Sequence, residues 1–295
     1  MTLSPPEIPA AAFMLPASVL DEVYGAEGVA EITQHARLVH PPVSREELAA
    51  QPHPWTQEVE VLFTSWQAPV LDAAMLARFP RLRAVFYGAG SIRYLATPEF
   101  WRRGILLTTA ASANAVPVSE YTLASTLMGL KRMWPFELEV VAYDPYLSST
   151  DATELDVRLL PLAELFATCS VVSLHAPRLP ATIGMITGEL IASMKPNATL
   201  INTSRGTLVK EDELCEALRH RPDLQVVLDV TDPEPPAPGS PLYSLLNVVL
   251  TPHIAGSRGR ERRRLGELMI TEFHRFRRGQ PLQHAVSEAR AMTMA

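Results

Sequence analysis

The sequence is poor in the features that staple small or secreted folds. It has two cysteines in 295 residues, Cys169 and Cys215, in unrelated contexts. They form no disulfide framework and no CxxC metal site, which suits a reducing, cytoplasmic setting. Both read as small core or helix residues. An excess of cations is also lacking: 26 Lys and Arg against 32 Asp and Glu leave a net charge of -6. That excludes a general nucleic-acid binder, because phosphate affinity needs clustered cations. The one basic cluster, Arg258 to Arg264, is interrupted by Glu261 and reads as a solvated helix face. No apolar run reaches the ~18 residues of a membrane span. The apolar patch Ala10 to Leu15 has no basic residue before it, so it is a poor signal peptide. What is present is ordinary for a globular chain, with 47% hydrophobic and 20% charged residues, too apolar for disorder. At ~150 residues per domain the length predicts two domains, each able to fold without a staple.

Short apolar runs alternate with helical patterns along the first 110 residues. Strands are expected at Ala11 to Leu15, Ala36 to His40, Val59 to Ser65, Leu82 to Gly88 and Ile105 to Ala110. Helices are expected at Ser18 to Tyr24, Ser44 to Ala50, Val70 to Phe79 and Pro98 to Arg103, with a capping box at Ser44 and Glu47. Small residues from Thr108 to Pro117 read as a hinge before a long helix, Val118 to Trp134. A second series follows. Strands are expected at Leu138 to Tyr143, Ser170 to His175, Ala198 to Thr203, Leu224 to Val230 and Asn247 to Thr251. Helices are expected at Leu162 to Ala167, Gly188 to Met194, Lys210 to Arg219 and Glu261 to Arg277. This rhythm predicts an α/β fold of two parallel-sheet, Rossmann-like or flavodoxin-like halves.

Three strand ends carry chemistry. ATLINTSRG delivers Arg205 to the carboxyl end of a buried strand, where open α/β sheets place ligands. Its planar fork can grip a carboxylate through two hydrogen bonds. LDVTDPEP places Asp229 at the next strand end and Glu234 in a proline-rich loop, and NVVLTPHIAG places His253 after a third strand. Singly, these are a surface cation, a loop acid and an inert histidine; together at successive strand ends they can converge on one site. LEVVAYD ends in Asp144, which fits an acid that binds the ribose 2′-OH of a dinucleotide. It equally fits an Asp-Pro turn, since Pro145 follows.

With these blocks in place, the sequence resembles the D-isomer-specific 2-hydroxyacid dehydrogenases from about Val59 to Phe276. The matching blocks are YGAGS, RRGILLTTAASANAVPVSE, VVAYDPY, VVSLHAP, LINTSRGTLVKEDEL, LDVTDPEP and NVVLTPHIAGS. The resemblance implies a substrate-binding domain over 1–112, completed by about 257–295, and an NAD-binding domain over 113–256, with NAD in the cleft between them. By that likeness Arg205 binds the substrate carboxylate and carbonyl, His253 is the general acid/base and Glu234 is its partner. Asp144, Thr203, Asp229 and Gly256 would contact the cofactor, Asp229 near the nicotinamide amide. The backbone of Gly88, Ala89 and Gly90 would meet the substrate. The implied reaction is NAD-dependent reduction of a 2-keto acid to a D-2-hydroxy acid, in a cytoplasmic homodimer without nucleic-acid or membrane partners. Trp66 and Arg93 are candidate specificity residues, with a structural reading equally open.

One element of the pattern is missing. The family carries GxGxxG between the long helix and the strand ending in Asp144, where backbone donors meet the pyrophosphate. Here KRMW runs directly into PFELEVVAYD, so the first strand, glycine loop and most of a helix are absent between about Trp134 and Pro135. A βαβ unit needs ~30 residues, and that room does not exist. The GxG at Gly88 and Gly90 continues to Arg93 rather than a third glycine, and it lies in the other half. In a 3-2-1-4-5-6 sheet the missing strand is central. Its loss is expected to leave a gap of roughly 10 Å or force its neighbours to re-pair. Three accounts are open, a segment lost from this sequence, a faulty gene model, or a real deletion that cripples the protein, and the intact trio and Asp144 favour one of the first two. The alternative function is accordingly a non-catalytic relative, a binding or regulatory protein of the kind exemplified by the C-terminal binding protein corepressors.

Overall fold

The structure, a computed structural model, describes residues 8–50, 52–130, 139–292 and 294. The chain divides into two compact units, residues 1–117 with 256–294, and residues 118–255. Both are α/β, and every sheet is parallel, as the alternating pattern predicts.

The first unit begins with β1 (Ala10–Met14), α1 (Ala17–Val23), α2 (Gly25–His35), β2 (Arg37–Leu38), α3 (Arg45–Ala50) and β3 (Val61–Thr64). It continues with α4 (Ala73–Arg78), β4 (Ala84–Tyr87), α5 (Pro98–Arg102) and β5 (Leu106–Thr109). The strands pair in the order β2-β1-β3-β4-β5. β1, β3 and β4 are buried throughout, which is why they read as unbroken apolar runs. The capping box forms: Ser44 N donates to Glu47 Oε2 at 2.8 Å and Glu47 N to Ser44 Oγ at 3.2 Å.

Three expectations need correction here. The helix α2 carries two glycines, and the sequence pattern does not announce it. An added Cβ at Gly28 would lie 3.1 Å from Ile270 Cδ1, a close approach that the glycine eases. The run Ala36 to His40 shortens to a two-residue edge strand. The stretch read as a hinge is helical from Ala111, since α6 (Ala111–Leu130) contains Pro117. Alternating alanines favour that start despite the proline. The rest of the expected helix, to Trp134, lies outside the described residues.

In the second unit α6 lays Thr122, Ser125 and Gly129 inward, at helical spacing. A Cβ on Gly129 would come 2.8 Å from Thr199 Oγ1, so only glycine admits the helix this close. Then follow β6 (Val141–Ala142), α7 (Ser149–Glu154), β7 (Arg158–Leu159), α8 (Leu162–Thr168), β8 (Val171–Leu174) and α9 (Gly188–Ala192). β9 (Thr199–Asn202), α10 (Glu211–His220), β10 (Gln225–Leu228) and β11 (Val248–Leu250) complete it. α7 and β7 are additional to the elements expected from the sequence.

The sheet is split where the missing strand would lie. β8 to β11 form one sheet in the order β11-β10-β9-β8, while β6 pairs only with β7 in a separate two-stranded sheet. Among the described residues β8 has no partner on its outer side. The strand expected from Leu138 shrinks to two residues, and Leu138, Trp134 and Pro135 lie outside the described residues.

The chain then rejoins the first unit through α11 (Arg262–Arg277) and a short α12 (Glu288–Ala291) beyond the last expected helix. Phe273 of α11 meets Phe63 and Phe86 edge-on at 5.1 and 5.6 Å. The basic cluster is not wholly a solvated face. Arg262 pairs with Glu22 and lies over the Trp66 ring at 5.1 Å from its centroid. Trp66 thereby has a structural contact, while Arg93 is exposed.

Candidate active site

In the second unit the parallel register aligns the strand ends in one row. Leu174 pairs with Asn202, Asn202 with Leu228, and Leu228 with Leu250. The next residues, His175, Thr203, Asp229 and Thr251, therefore emerge together at the carboxyl end of the sheet, and Arg205, Glu234 and His253 follow from the same end.

Asp229 organises this end. It is 1% exposed, and its Oδ1 accepts from Ile254 N at 2.8 Å and from Thr251 Oγ1, while Oδ2 accepts from Ala255 N at 2.8 Å. A buried carboxylate needs such donors. They bend the chain so that His253 sits at φ 53°, in the left-handed region. That conformation costs a non-glycine residue about 1–2 kcal/mol, and the Asp229 network holds it. Tyr121 hydroxyl extends the network to Thr251 Oγ1 at 2.8 Å.

His253 Nδ1 donates to Glu234 Oε1 at 2.7 Å, both side chains being about half exposed (50% and 42%). The bond fixes the ring tautomer and leaves Nε2 for a ligand. Arg205 lies near the same carboxylate. Burial pulls its guanidinium below the usual arginine range; the Glu234 charge opposes this, and Arg178 adds to it. The Arg205 loop is braced by Asn202, whose Nδ2 donates to Arg205 O at 3.0 Å and whose Oδ1 accepts from Ser204 N at 3.0 Å. One guanidinium nitrogen, Nη1, donates to Ser204 O at 2.6 Å. Glu234 and His253 are thus in contact at the sheet end that also carries Arg205, a half-buried cation beside an oriented imidazole–carboxylate pair.

The expected cofactor residues divide differently. Thr203 is 8% exposed and its hydroxyl lies 3.2 Å from that of Thr122. Asp144 is exposed beyond the short β6, and its Oδ1 accepts from Tyr146 N at 2.8 Å, the turn that Asp-Pro encodes. Its Oδ2 has no protein partner among the described residues and remains open to a ribose hydroxyl. Asp229 keeps one acceptor position on Oδ2 after its three bonds. The residues present therefore fit the two ends of a dinucleotide. For its middle, no strand–glycine loop–helix unit occurs among the described residues.

Gly256 belongs to the first unit, with Gly88, Ala89 and Gly90. Asn114 Oδ1 accepts from Ser257 N at 3.0 Å, and Cβ atoms added at Gly90 and Gly256 would both lie within 3.6 Å of this side chain. Gly88 N donates to Thr64 O and Ala89 N to Tyr87 O, both at 2.8 Å. Among the described residues the Gly90 N–H alone of these three is left for a ligand. Sequence reasoning passed over Asn114 and Thr251. Both lie inside or beside blocks already singled out, but their roles depend on hydrogen bonds that spacing does not reveal.

Comparison with known proteins identifies relatives of the chain. The family model described as D-isomer specific 2-hydroxyacid dehydrogenase, NAD binding domain, matches residues 129–255. The chain is 30% identical to a (S)-sulfolactate dehydrogenase of Chromohalobacter salexigens over 249 residues, covering 70% of this chain and 81% of that protein. It is 36% identical to a D-3-phosphoglycerate dehydrogenase of Archaeoglobus fulgidus over 157 residues, 53% of this chain and 30% of that one. The chain thus spans about a third to a half of the phosphoglycerate dehydrogenases it matches. A solved Thermus thermophilus protein superposes with a TM-score of 0.67 at 25% identity, covering 94% of this chain and 99% of that one. A 2-hydroxyacid dehydrogenase from Ketogulonicigenium vulgare shares the fold, with a TM-score of 0.73 at 18% identity over 95% and 98% of the two chains.

Proposed function

Because the chain belongs to the D-isomer-specific 2-hydroxyacid dehydrogenase family, we propose that it interconverts a D-2-hydroxy acid and its 2-keto acid with NAD(H). The observation that carries this reading is the Glu234–His253 hydrogen bond beside a half-buried Arg205.

Keto-acid reduction adds a hydride to carbon and a proton to oxygen, and bound NADH supplies the hydride. Arg205 binds the carboxylate with its remaining N–H donors and polarises the neighbouring carbonyl. Its partial desolvation strengthens both interactions. His253 delivers the proton from Nε2 to the carbonyl oxygen and takes it back in the reverse direction. Glu234 keeps Nδ1 protonated and the ring aimed. Asp144, Thr203, Asp229 and Gly256 serve the cofactor, and Gly88, Ala89 and Gly90 the substrate, on the strength of the resemblance. Among the residues just named, Gly90 offers a spare backbone donor.

The same reading extends to a cytoplasmic homodimer. α6 exposes Val116, Leu123 and Leu127 at helical spacing, with Met128 beside them, a surface suited to a second copy. Both cysteines are free thiols, and among the described residues no helix is long and apolar enough to cross a membrane.

The split sheet favours a second reading, a non-catalytic binding or regulatory relative that retains the trio. NADH fluorescence titration followed by a screen of 2-keto acids separates the two. Saturable binding with turnover supports the dehydrogenase. A folded chain that neither binds nor turns over supports the relative.

A further inference from the structure

A cavity of about 580 Å³ opens in the first unit between α1 and the start of α11. Its wall holds three cations, Arg260, Arg263 and Arg264, and three carboxylates, Asp21, Glu22 and Glu267. Glu22 is taken by Arg262, just outside the cavity. The other five make no ion pair among the described residues. Three guanidinium groups and two carboxylates thus share one cavity without pairing.

Arg263 is the most confined of them. Its guanidinium fills the space that a Cβ would need at Gly25, a residue at φ 59° where α2 begins. Nη1 is buried there and has no hydrogen-bond partner among the described residues. A charge stripped of water needs an acceptor or a counter-charge. Because Arg263 also borders the cavity, an anionic group bound there supplies one. A dianion such as phosphate would meet Asp21 and Glu267 across the same space and be repelled. Those two acids call for an ammonium instead. A ligand that carries one charge of each sign satisfies both sides of the wall.

We propose that this cavity binds a free α-amino acid, with its carboxylate on Arg263 and its ammonium on Asp21 and Glu267. A carboxylate can take two parallel N–H bonds from one guanidinium. The volume leaves room for a side chain. The site lies wholly within the first unit and does not depend on the dehydrogenase reading.

The test titrates the full chain with each common amino acid singly, at millimolar concentration, in a calorimeter. At least one is expected to bind saturably. Its N-acetyl and its amide derivative, each lacking one charge, bind about tenfold or more weakly, the scale of one charge-assisted hydrogen bond. Arg263→Gln and the double variant Asp21→Asn/Glu267→Gln each weaken the free amino acid by a similar factor. The double variant changes only exposed side chains, so it decides the matter should Arg263→Gln fail to fold. No saturable heat with any amino acid overturns the proposal and leaves the five charges to pair with one another. Affinity that survives either variant overturns it as well, as does an N-acetyl derivative that binds as tightly as the free amino acid.

Discussion

His253 Nδ1 and Glu234 Oε1 lie 2.7 Å apart, although the two residues come from separate loops after different strands. Each loop is held by something other than this bond: His253 by the buried Asp229 carboxylate, and the Glu234 loop by Thr231 Oγ1 donating to Pro233 O at 2.8 Å. Their meeting is therefore built into the sheet end. His253→Gln is expected to lower kcat by about 100- to 10,000-fold, the usual worth of a positioned acid/base, with KM little changed. Steady-state kinetics check this. A kcat within threefold of wild type would remove His253 from the proton step.

Arg205 offers a fork that lysine cannot reproduce. Arg205→Lys is expected to raise KM for the keto acid by about tenfold or more, on the scale of a lost charge-assisted hydrogen bond. Kinetics unchanged within twofold on every accepted keto acid contradict a carboxylate-binding role.

Asp144 keeps its Oδ2 open while Oδ1 holds the local turn. A carboxylate beside the adenosine ribose repels a 2′-phosphate, so NADH is expected to bind more tightly than NADPH. Competitive titration measures the ratio. A preference for NADPH takes Asp144 away from the ribose.

Asp223 accepts from Arg221 Nε and Nη2, both at 2.8 Å, and from Asn197 N at 3.1 Å. The Arg221 bonds, then the backbone donor, hold its carboxyl well below the usual range. A depressed folded-state value stabilises above the unfolded value, about 3.9, and that stability is lost as pH falls through the folded value. Asp223→Asn is therefore expected to lower Tm at pH 7, with the gap from wild type closing as pH falls below about 4. Equal Tm values at pH 7 contradict the anchor.

Much of this was legible in the residues. β9 reads as a strand because all four of its residues are buried, and parallel register then puts Thr203, Asp229 and Thr251 on one row. The absent glycine loop was legible too, and among the described residues β6 and β8 belong to separate sheets. α2 was not, because glycine weakens a helix in isolation while allowing close packing in the fold.

The central claim is that the trio remains a working dehydrogenase site on a sheet that has lost its first cofactor strand. The direct measurement is keto-acid-dependent NADH oxidation by a chain whose intact mass is 32.5 kDa, at NADH raised to millimolar levels, beside His253→Gln. The account predicts turnover that depends on His253 and a KM for NADH well above the micromolar range, since part of the pyrophosphate cradle is gone. A folded chain of that mass with no keto-acid-dependent oxidation, or with equal oxidation in His253→Gln, would contradict it.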